Sequence, residues 1–436
     1  MRSIKLGLIG FGTVGSAVYT VLSRNREDIK CRLGHDFQLS LICIRNPKRA
    51  ARFVDSSVRV CSDPLEVINS DVDIIIEVIG GIESAKSIIE KSLKNKKHVV
   101  TANKELIALH GRQLFKLAEN NEVMLLYEAA VAGGVPIIKS IREGLSANQI
   151  TLVAGIINGT TNYILTEMQK SRSNFKDVLA IAIKKGYAEQ DPTYDVEGID
   201  AAHKLAIIAS LSFGVEINYQ TVYSEGISNI ELKDIDYAEK FGYRIKLLGI
   251  AKLTQSGIEL RVHPTLVPHK NLMANVDGAM NAIMVYGDAV GPTIFYGQGA
   301  GGEATASAVI ADIIDICRLR SANSENYVPY TAYRINKHSI SVLPIDDTRA
   351  SYYLRLAVKD QVGVMAKITK LLATLSISIE AMFQGEPIGY GSSVEVVIIS
   401  HETIERDIND AISKIQHLDF VEGAIKLLRI QDLGLK

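Results

Sequence analysis

Residues 4–24 read IKLGLIGFGTVGSAVYTVLSR. The apolar run at 4–9 predicts a short buried strand, and residues 14–24 predict the helix that follows it. Between them lies a GxGxxG segment made of Gly10, Phe11, Gly12, Thr13, Val14 and Gly15. Such glycines allow a tight turn, close approach of the backbone to a pyrophosphate and close packing of helix on strand. The helix N-terminus then offers N–H groups to phosphates, so the segment predicts a dinucleotide site; the alternative is a purely structural turn.

The next hundred residues repeat the alternation of strand and helix. Apolar strands are predicted at Phe37–Ile44, Val72–Ile79, His98–Thr101 and Val123–Tyr127, and helices at 83–94 and 105–119. Strands that alternate with helices imply parallel βαβ units and a doubly wound, Rossmann-type sheet. We therefore predict a nucleotide-binding domain over residues 1–130.

Residues 131–335 have a mixed pattern and are predicted to form an α+β domain; its assignment as the catalytic and dimerisation domain comes from a family resemblance that is given below. Helices are predicted at 160–170, 175–185, 199–213 and 303–319, and strands at 149–157, 245–252, 257–266 and 280–286. Glycine-rich loops, notably GQGAGG at 297–302, are predicted between the last strand and the last helix. Residues 336–350 lack periodicity, which suits a linker.

The final segment, residues 351–436, restarts the pattern with its own apolar periodicity. Its predicted order is βαββαβ, with strands from 352 and at 377–383, 393–399 and 424–430 and helices from 364 and at 403–416. This order is typical of the ferredoxin-like fold. We expect a regulatory module that is dispensable for the chemistry.

Composition excludes several classes of protein. The 436 residues contain 48 Lys+Arg and 49 Asp+Glu, so a net charge of −1 gives no reason to expect nucleic acid or an anionic membrane as partner. Cys31, Cys43, Cys61 and Cys317 lie far apart without a CxxC pair, which argues against a disulfide framework or a zinc site. The apolar N-terminus is broken by glycines and lacks a cleavage pattern, so it does not predict a signal peptide. We expect a cytoplasmic protein.

The end of the second predicted strand bears on the choice of cofactor. NAD-binding proteins usually carry an acidic residue there for the ribose 2′-hydroxyl, whereas this chain continues with Arg45. Arg45 can bind a 2′-phosphate through two N–H groups, and Lys48 and Arg49 add positive potential. The sequence favours NADPH, with NAD as the alternative, and a solvated basic loop would look the same.

Polar residues are densest between Gly186 and Lys204. Asp200 and Lys204 are four apart on a predicted helix and share a face. A lysine beside a carboxylate can give a proton to a carbonyl oxygen, or take one from an alcohol. The alternative on spacing alone is a surface ion pair. His203 points about 100° away from Lys204 around the helix and is not assigned a catalytic role.

Four blocks of sequence together resemble homoserine dehydrogenase: GFGTVG, TANKELIA at 101–108, NGTTNYILTEM at 158–168 and GYAEQDPTYDVEGIDAAHKLAI at 186–207. The similarity covers residues 1 to about 320, and the last 80 residues resemble an ACT domain. The resemblance implies interconversion of L-homoserine and L-aspartate 4-semialdehyde, within threonine, methionine and isoleucine biosynthesis.

The resemblance also implies roles for single residues. It makes Lys204 the proton donor and acceptor, and Asp200 and Glu189, near Gly186, the groups that hold the substrate's hydroxyl and amino groups. Lys104 matches a lysine beside the nicotinamide and substrate; its alternative is a surface lysine at a helix start. Gly302 matches a position that closes on the cofactor, and its alternative is a plain turn glycine.

A monovalent-cation site, for Na⁺ or K⁺, is also implied by the resemblance. It maps onto Glu128, Val131, Gly133 and Val135, where a strand end is followed by small residues whose carbonyls could converge on a hard cation. A glycine-rich crossover between domains explains the same residues equally well.

The ACT-like module implies a small effector, and L-threonine follows from the implied pathway. ACT domains often pair between subunits, so a homo-oligomer, dimer or tetramer, is expected. Backbone groups exposed in the loop Asp360–Gly363 could meet the effector. Two other functions remain open at this point: a reductase of another small amino-acid aldehyde, and a regulatory protein that senses nucleotides without chemistry.

Overall fold

The computed structural model describes residues 3–47, 53–216, 218–319, 329, 332–333, 340–386 and 393–434. The chain forms two compact units, each assembled from three segments. Unit 1 comprises Met1–Gly159, Asp200–Val222 and Ala279–Ile340, and unit 2 comprises Thr160–Ile199, Tyr223–Gly278 and Ser341–Lys436. This division by compactness cuts across the predicted middle domain, residues 131–335. The predicted domain boundaries along the sequence stay predictions.

The strands and helices are numbered in chain order. The strands are β1 (Ile4–Ile9), β2 (Phe37–Cys43), β3 (Arg59–Cys61), β4 (Ile74–Glu77), β5 (His98–Thr101), β6 (Leu125–Leu126), β7 (Ile150–Ile156), β8 (Tyr223–Ser224), β9 (Tyr243–Leu253), β10 (Ile258–Pro268), β11 (Met280–Gly287), β12 (Gly291–Gln298), β13 (Arg349–Lys359), β14 (Ile379–Gln384), β15 (Ser393–Ser400), β16 (Thr403–Ile404) and β17 (Val421–Ile430). The helices are α1 (Thr13–Arg24), α2 (Arg26–Leu33), α3 (Pro64–Ile68), α4 (Glu83–Lys94), α5 (Lys104–Asn120), α6 (Ile137–Lys139), α7 (Gly159–Ser171), α8 (Phe175–Lys184), α9 (Thr193–Val196), α10 (Ile199–Phe213), α11 (Leu232–Lys240), α12 (Gly302–Leu319), α13 (Val364–Thr374) and α14 (Glu405–Gln416).

Unit 1 contains the predicted doubly wound sheet. Its strands run parallel in the order β3-β2-β1-β4-β5-β6. The interior of β1 and β4 is almost wholly apolar because both faces of a parallel sheet are covered. The strand order reverses between β1 and β4, and in such sheets ligands bind outside the carboxyl ends of the strands at that point.

Unit 1 also holds a second, antiparallel sheet in which β11 pairs with β7 on one side and β12 on the other. Strand β12 is a correction, because the sequence predicted glycine-rich loops before α12. Its Gly291 and Pro292 look like loop residues, and only the pairing with β11 makes the segment a strand. Helix α2 was also missed because only Ile29 and Leu33 are buried, which leaves too short an apolar pattern to detect.

Unit 2 contains the βαββαβ module predicted at the C-terminus. The strand order β14-β15-β13-β17 is antiparallel throughout, and α13 and α14 pack their apolar residues on a core that also includes Tyr352, Leu354 and Ile398. The ferredoxin-like arrangement is confirmed.

The module is not set apart from the rest of unit 2. Strand β17 pairs in parallel with β10, with Thr265 opposite Arg429, so one sheet continues from β9 through β10 into the module. The linker predicted at 336–350 stays a prediction. Ser341 and Leu343 hydrogen-bond to Ile258 at the start of β10, and Arg349 already belongs to β13. Residues 336–339 lie outside the described part of the chain.

Cys31 is exposed, Cys43, Cys61 and Cys317 are buried, and all four are free. Across the part of the chain that the structure describes, no helix is long and apolar enough to cross a membrane.

Candidate active site

The GxGxxG turn connects β1 to α1 at the point where the strand order reverses. Gly10 has a φ of +106°, and a Cβ there would lie 2.7 Å from the carbonyl oxygen of Val78, so glycine is required. A Cβ on Gly15 would collide with the carbonyl oxygen of Gly10. By contrast, a Cβ on Gly12 would meet no atom within 4 Å. The space above the turn is therefore open to a pyrophosphate, and the start of α1 carries no side-chain cap among the described residues.

The other predicted cofactor residues also lie in unit 1. Phe11 contacts Tyr19 edge-on, and Thr13 and Val14 form the first turn of α1. Gly302, the first residue of α12, lies against Thr13 and Ala17 of α1. Arg45 is exposed two residues after the end of β2. Lys48 and Arg49 lie outside the described residues.

Asp200 brings two lysines together in unit 1. Its carboxylate is buried, and Oδ2 accepts a hydrogen bond of 2.7 Å from Lys204 Nζ, one turn further along α10. Its other oxygen, Oδ1, lies 3.0 Å from Nζ of Lys104, the first residue of α5. Lys204 also donates to the carbonyl oxygen of Ile157 at 2.8 Å. An ammonium group has three donors, so Lys204 keeps one for another ligand.

Asn158, the first residue of the NGTTNYILTEM block, is a further member of this cluster that was not predicted from the sequence. Its side-chain amide donates to Asp200 Oδ2 at 2.9 Å. Its place in that block was the available signal, but a loop amide that contacts a carboxylate 42 residues further along the chain gives no periodic pattern.

The charges around Asp200 fix its ionisation. Burial alone would raise the pKa of this carboxyl, but the charges of Lys204 and Lys104 and the hydrogen bonds from Lys204 and Asn158 hold the pKa well below its usual range. Asp200 therefore stays ionised and holds both ammonium groups in place. Such an arrangement can orient a lysine for proton transfer at a carbonyl oxygen.

Gly186 and Glu189 belong to unit 2, where both are exposed. Gly186 follows α8 with a φ of +77°. The loop is fixed by α7, because Thr160 donates to the carbonyl oxygen of Tyr187 at 2.7 Å and Tyr163 stacks on the Tyr187 ring. The NGTTNYILTEM and GYAEQDP blocks are thus in direct contact. The approach of Gly186 and Glu189 to a substrate stays a prediction.

Glu128 and the residues after it form a tight buried loop in unit 1. The Glu128 carboxylate accepts hydrogen bonds from the backbone N–H groups of Ile138 and Lys139, at 2.9 and 2.7 Å. Burial raises its pKa to about 7, although these hydrogen bonds act in the opposite direction. Val131 and Val135 are buried, and Gly133 has a φ of +48°. In the described residues no group of three or more His, Cys, Asp or Glu side chains could hold a metal ion, so any cation here would depend on carbonyl oxygens.

Comparison with known proteins gives three matching family models. Residues 136–314 match homoserine dehydrogenase, residues 10–128 match the NAD-binding domain of homoserine dehydrogenase, and residues 352–419 match the ACT domain. The first two models cover the GxGxxG turn and the Asp200 cluster.

Relatives and solved structures agree with these models. The chain is 48% identical to a homoserine dehydrogenase of Neisseria gonorrhoeae, over 99% of this chain and 100% of that protein. A crystal structure of a homoserine dehydrogenase from Thiobacillus denitrificans has a TM-score of 0.94 at 48% identity and covers 99% of both chains. A hyperthermophilic archaeal homoserine dehydrogenase in complex with NADPH has a TM-score of 0.62 at 25% identity, over 73% of this chain and 98% of that chain. The resemblance found in the sequence is thereby confirmed, and the chain belongs to the homoserine dehydrogenase family of oxidoreductases.

Proposed function

We propose that the chain catalyses the NAD(P)-dependent interconversion of L-aspartate 4-semialdehyde and L-homoserine, a step in threonine, methionine and isoleucine biosynthesis. The observation that carries this proposal is the cluster in which buried Asp200 holds Lys204 and Lys104 on its two oxygens. A protein that only sensed nucleotides would have no need of an oriented lysine pair. Reduction of another small amino-acid aldehyde is the alternative within the same chemistry.

The roles of the residues follow from their contacts. A bound nicotinamide supplies or accepts the hydride. We infer that Lys204 gives a proton to the carbonyl oxygen of the semialdehyde through its remaining N–H, and takes it back from the alcohol in reverse. Lys104 is bound to the other oxygen of Asp200. Its positive charge favours the negative charge that develops on the reacting oxygen of the substrate.

Asp200 and Glu189 were both predicted to hold polar groups of the substrate. Because the oxygens of Asp200 already bind Lys204, Lys104 and Asn158, we infer that Asp200 acts mainly by orienting the lysines. Glu189, which is exposed beside the turn at Gly186, is then the acceptor that we assign to the substrate's ammonium group.

We infer that NADPH is the preferred nicotinamide cofactor, with NAD as a weaker alternative. Support comes from Arg45, which follows β2 where NAD-binding proteins usually carry an acidic residue, and from the NADPH complex of the archaeal relative.

A monovalent cation, Na⁺ or K⁺, is proposed at Glu128, Val131, Gly133 and Val135. One buried carboxylate and backbone carbonyls are ligands that suit a hard cation. The test is activity in sodium, potassium or N-methylglucamine chloride at equal ionic strength. Equal rates in all three salts would contradict a role for the cation.

We propose L-threonine as the effector of the ACT domain. Gly363 immediately precedes α13 and has a φ of +90°, and the adjacent Val362 is fully exposed, so the loop presents backbone groups to solution. Removing the module would also strip β17 from β10, so the test uses the full chain. Calorimetry should show L-threonine binding to the parent protein, and activity assays should show inhibition by it. Both should be lost in Gly363→Ala, because alanine is strained at this φ. Unchanged inhibition would place the effector elsewhere.

We propose a homo-oligomer, either a dimer or a tetramer, because ACT domains often pair between subunits. Light scattering, which measures the molar mass in solution, tests this proposal. Cytoplasmic location is proposed from the free cysteines, which suit a reducing compartment. Cell fractionation tests that location.

The activity itself is tested by following NADPH oxidation with L-aspartate 4-semialdehyde. We expect turnover with this substrate and much slower turnover with glutamate 5-semialdehyde, one methylene longer. Faster turnover with the longer aldehyde would favour the alternative, and absence of oxidation with either would reject both.

A further inference from the structure

A buried carboxylate lies at the carboxyl end of β4, beside the cofactor turn. Glu77 is fully buried, and Oε1 accepts the backbone N–H of Ile79 at 2.8 Å. Its other oxygen, Oε2, accepts the hydroxyl of Thr101 at 2.6 Å. β4 ends at Glu77, two residues before the sequence predicted, because this hydrogen bond turns the chain at Ile79.

The hydrogen bonds continue from Thr101 into a closed ring. The backbone N–H of Asn103 donates to the Thr101 hydroxyl oxygen at 3.1 Å, and the Asn103 side chain donates to the carbonyl oxygen of Gly81 at 2.6 Å. One group, Glu77, therefore ties the loop after β4 to the turn after β5. The two segments come from neighbouring strands of the parallel sheet.

This ring also sets the start of α5. The Asn103 side-chain oxygen accepts the N–H of Leu106 at 3.1 Å and so caps the helix. Lys104 is the next residue, and its ammonium group lies 3.0 Å from Asp200 Oδ1. The position of Lys104 thus depends on Asn103, which depends on Thr101 and Glu77.

Burial of the Glu77 carboxyl is energetically unfavourable, which indicates a role beyond the stability of the fold. Burial raises the pKa of the Glu77 carboxyl, while the hydrogen bonds from Thr101, Ile79 and Gly80 oppose the rise. A carboxylate held only by neutral donors costs free energy that an apolar residue at the end of β4 would not.

We propose that Glu77 is a positioning residue, which sets Lys104 against Asp200 by holding the loop 79–81 and the turn 101–103 together. The inference rests on the proposed function, because the role of Lys104 in the chemistry is assigned there.

The test is a double-mutant cycle with kcat and KM as readouts. Thr101→Val keeps the shape but removes the hydroxyl, and Glu77→Gln keeps the volume but cannot accept from every donor. Each variant should lower kcat roughly 10-fold. In Thr101→Val the KM for NADPH should change less than about 2-fold. Thr101→Ser keeps the hydroxyl group and should therefore have the kcat of the parent protein. In a Lys104→Ala background neither change should lower kcat further.

Ser92→Ala is the matched control, since it removes another buried hydroxyl of unit 1, which donates to Ile88. It should leave kcat unchanged. Effects of Thr101→Val and Lys104→Ala that multiply would overturn the inference, as would normal kcat in Thr101→Val or Glu77→Gln. If Lys104→Ala alone left kcat unchanged, the role of Lys104 in the proposed function would fail first, and the inference with it.

Discussion

Each unit of the molecule holds a buried carboxylate with a cation, and the two clusters differ in the kind of cation. In unit 1, Asp200 pairs with two lysines whose side chains are 12% and 35% exposed. In unit 2, Glu405 of α14 accepts a 2.9 Å hydrogen bond from Arg429 of β17, and both side chains are at most 3% exposed. Arg429 also donates to Glu225 at 2.7 Å.

The difference separates a group that can exchange protons from one that cannot. Lysine can lose its proton at a partly open site, whereas arginine stays charged in proteins and binds carboxylates through a rigid fork. The Asp200 cluster therefore suits chemistry. The Arg429 cluster fastens β17 of the module to α14 and, through Glu225, to the segment after β8.

The largest effect is expected at Lys204. Lys204→Ala removes the proton donor and should lower kcat roughly 10²–10⁴-fold in both directions, with little change in cofactor affinity. Lys204→Arg keeps the positive charge but not the exchangeable proton, so it should be nearly as inactive. Steady-state kinetics measure both variants. Near-normal kcat in Lys204→Arg would mean that only the positive charge is needed. The distinction drawn here between an exchangeable lysine proton and a permanently charged arginine would then be wrong.

The second prediction concerns stability. Arg429→Met leaves Glu405 buried without its cationic partner, with the hydroxyl of Tyr352 still donating to it, and should lower the free energy of unfolding by about 3–5 kcal/mol, measured by denaturant titration. Arg349→Ala removes an exposed ion pair with Glu402 in the same module and should cost less than about 1 kcal/mol. If the two variants were equally stable, the buried cluster would contribute no more than a surface pair.

Arg45 extends the comparison to an exposed cation. Arg45→Ala should weaken NADPH binding by about 1.5–3 kcal/mol through the loss of charge-assisted hydrogen bonds, and NADH binding much less. Fluorescence titration of both cofactors measures the difference. Equal weakening would leave Arg45 a general electrostatic contributor and remove the main support for NADPH.

The smallest effect is expected from His263, whose Nε2 lies 3.0 Å from Nη1 of Arg261. Burial, and then the charges of Arg429 and Arg261, hold the pKa of His263 well below 6.5. Only the unfolded chain then takes up a proton near pH 6.5, so this contribution to stability is present above that pH and lost below it. The free energy of unfolding should fall by about 1 kcal/mol from pH 7.5 to 5.5 on this account.

His263→Gln keeps an acceptor for Arg261 but cannot gain a proton at this pH. The pH dependence of its unfolding free energy should be shallower than that of the parent chain by that amount. Identical pH profiles would show that His263 does not titrate as inferred.

Sequence reasoning found what is local and periodic. The parallel sheet, the GxGxxG turn and the Asp200–Lys204 pair on one helix face all follow from spacing within a short segment. Lys104 and Asn158 reach Asp200 from other parts of the chain, so spacing could not pair them, and only the resemblance pointed to Lys104. The Arg429 cluster was missed for the same reason, since Glu225, Glu405 and Arg429 lie in three segments without a shared pattern.

The pairing of β10 with β17 has a consequence for the order in which unit 2 can fold. The strands of the segment Tyr223–Gly278 must wait for Val421–Ile430 before their sheet is complete and Glu225 meets Arg429. Contacts so distant in sequence slow folding and leave strand edges open in the meantime. During synthesis β10 therefore has an open edge until β17 is made, and this edge can pair with another chain and aggregate.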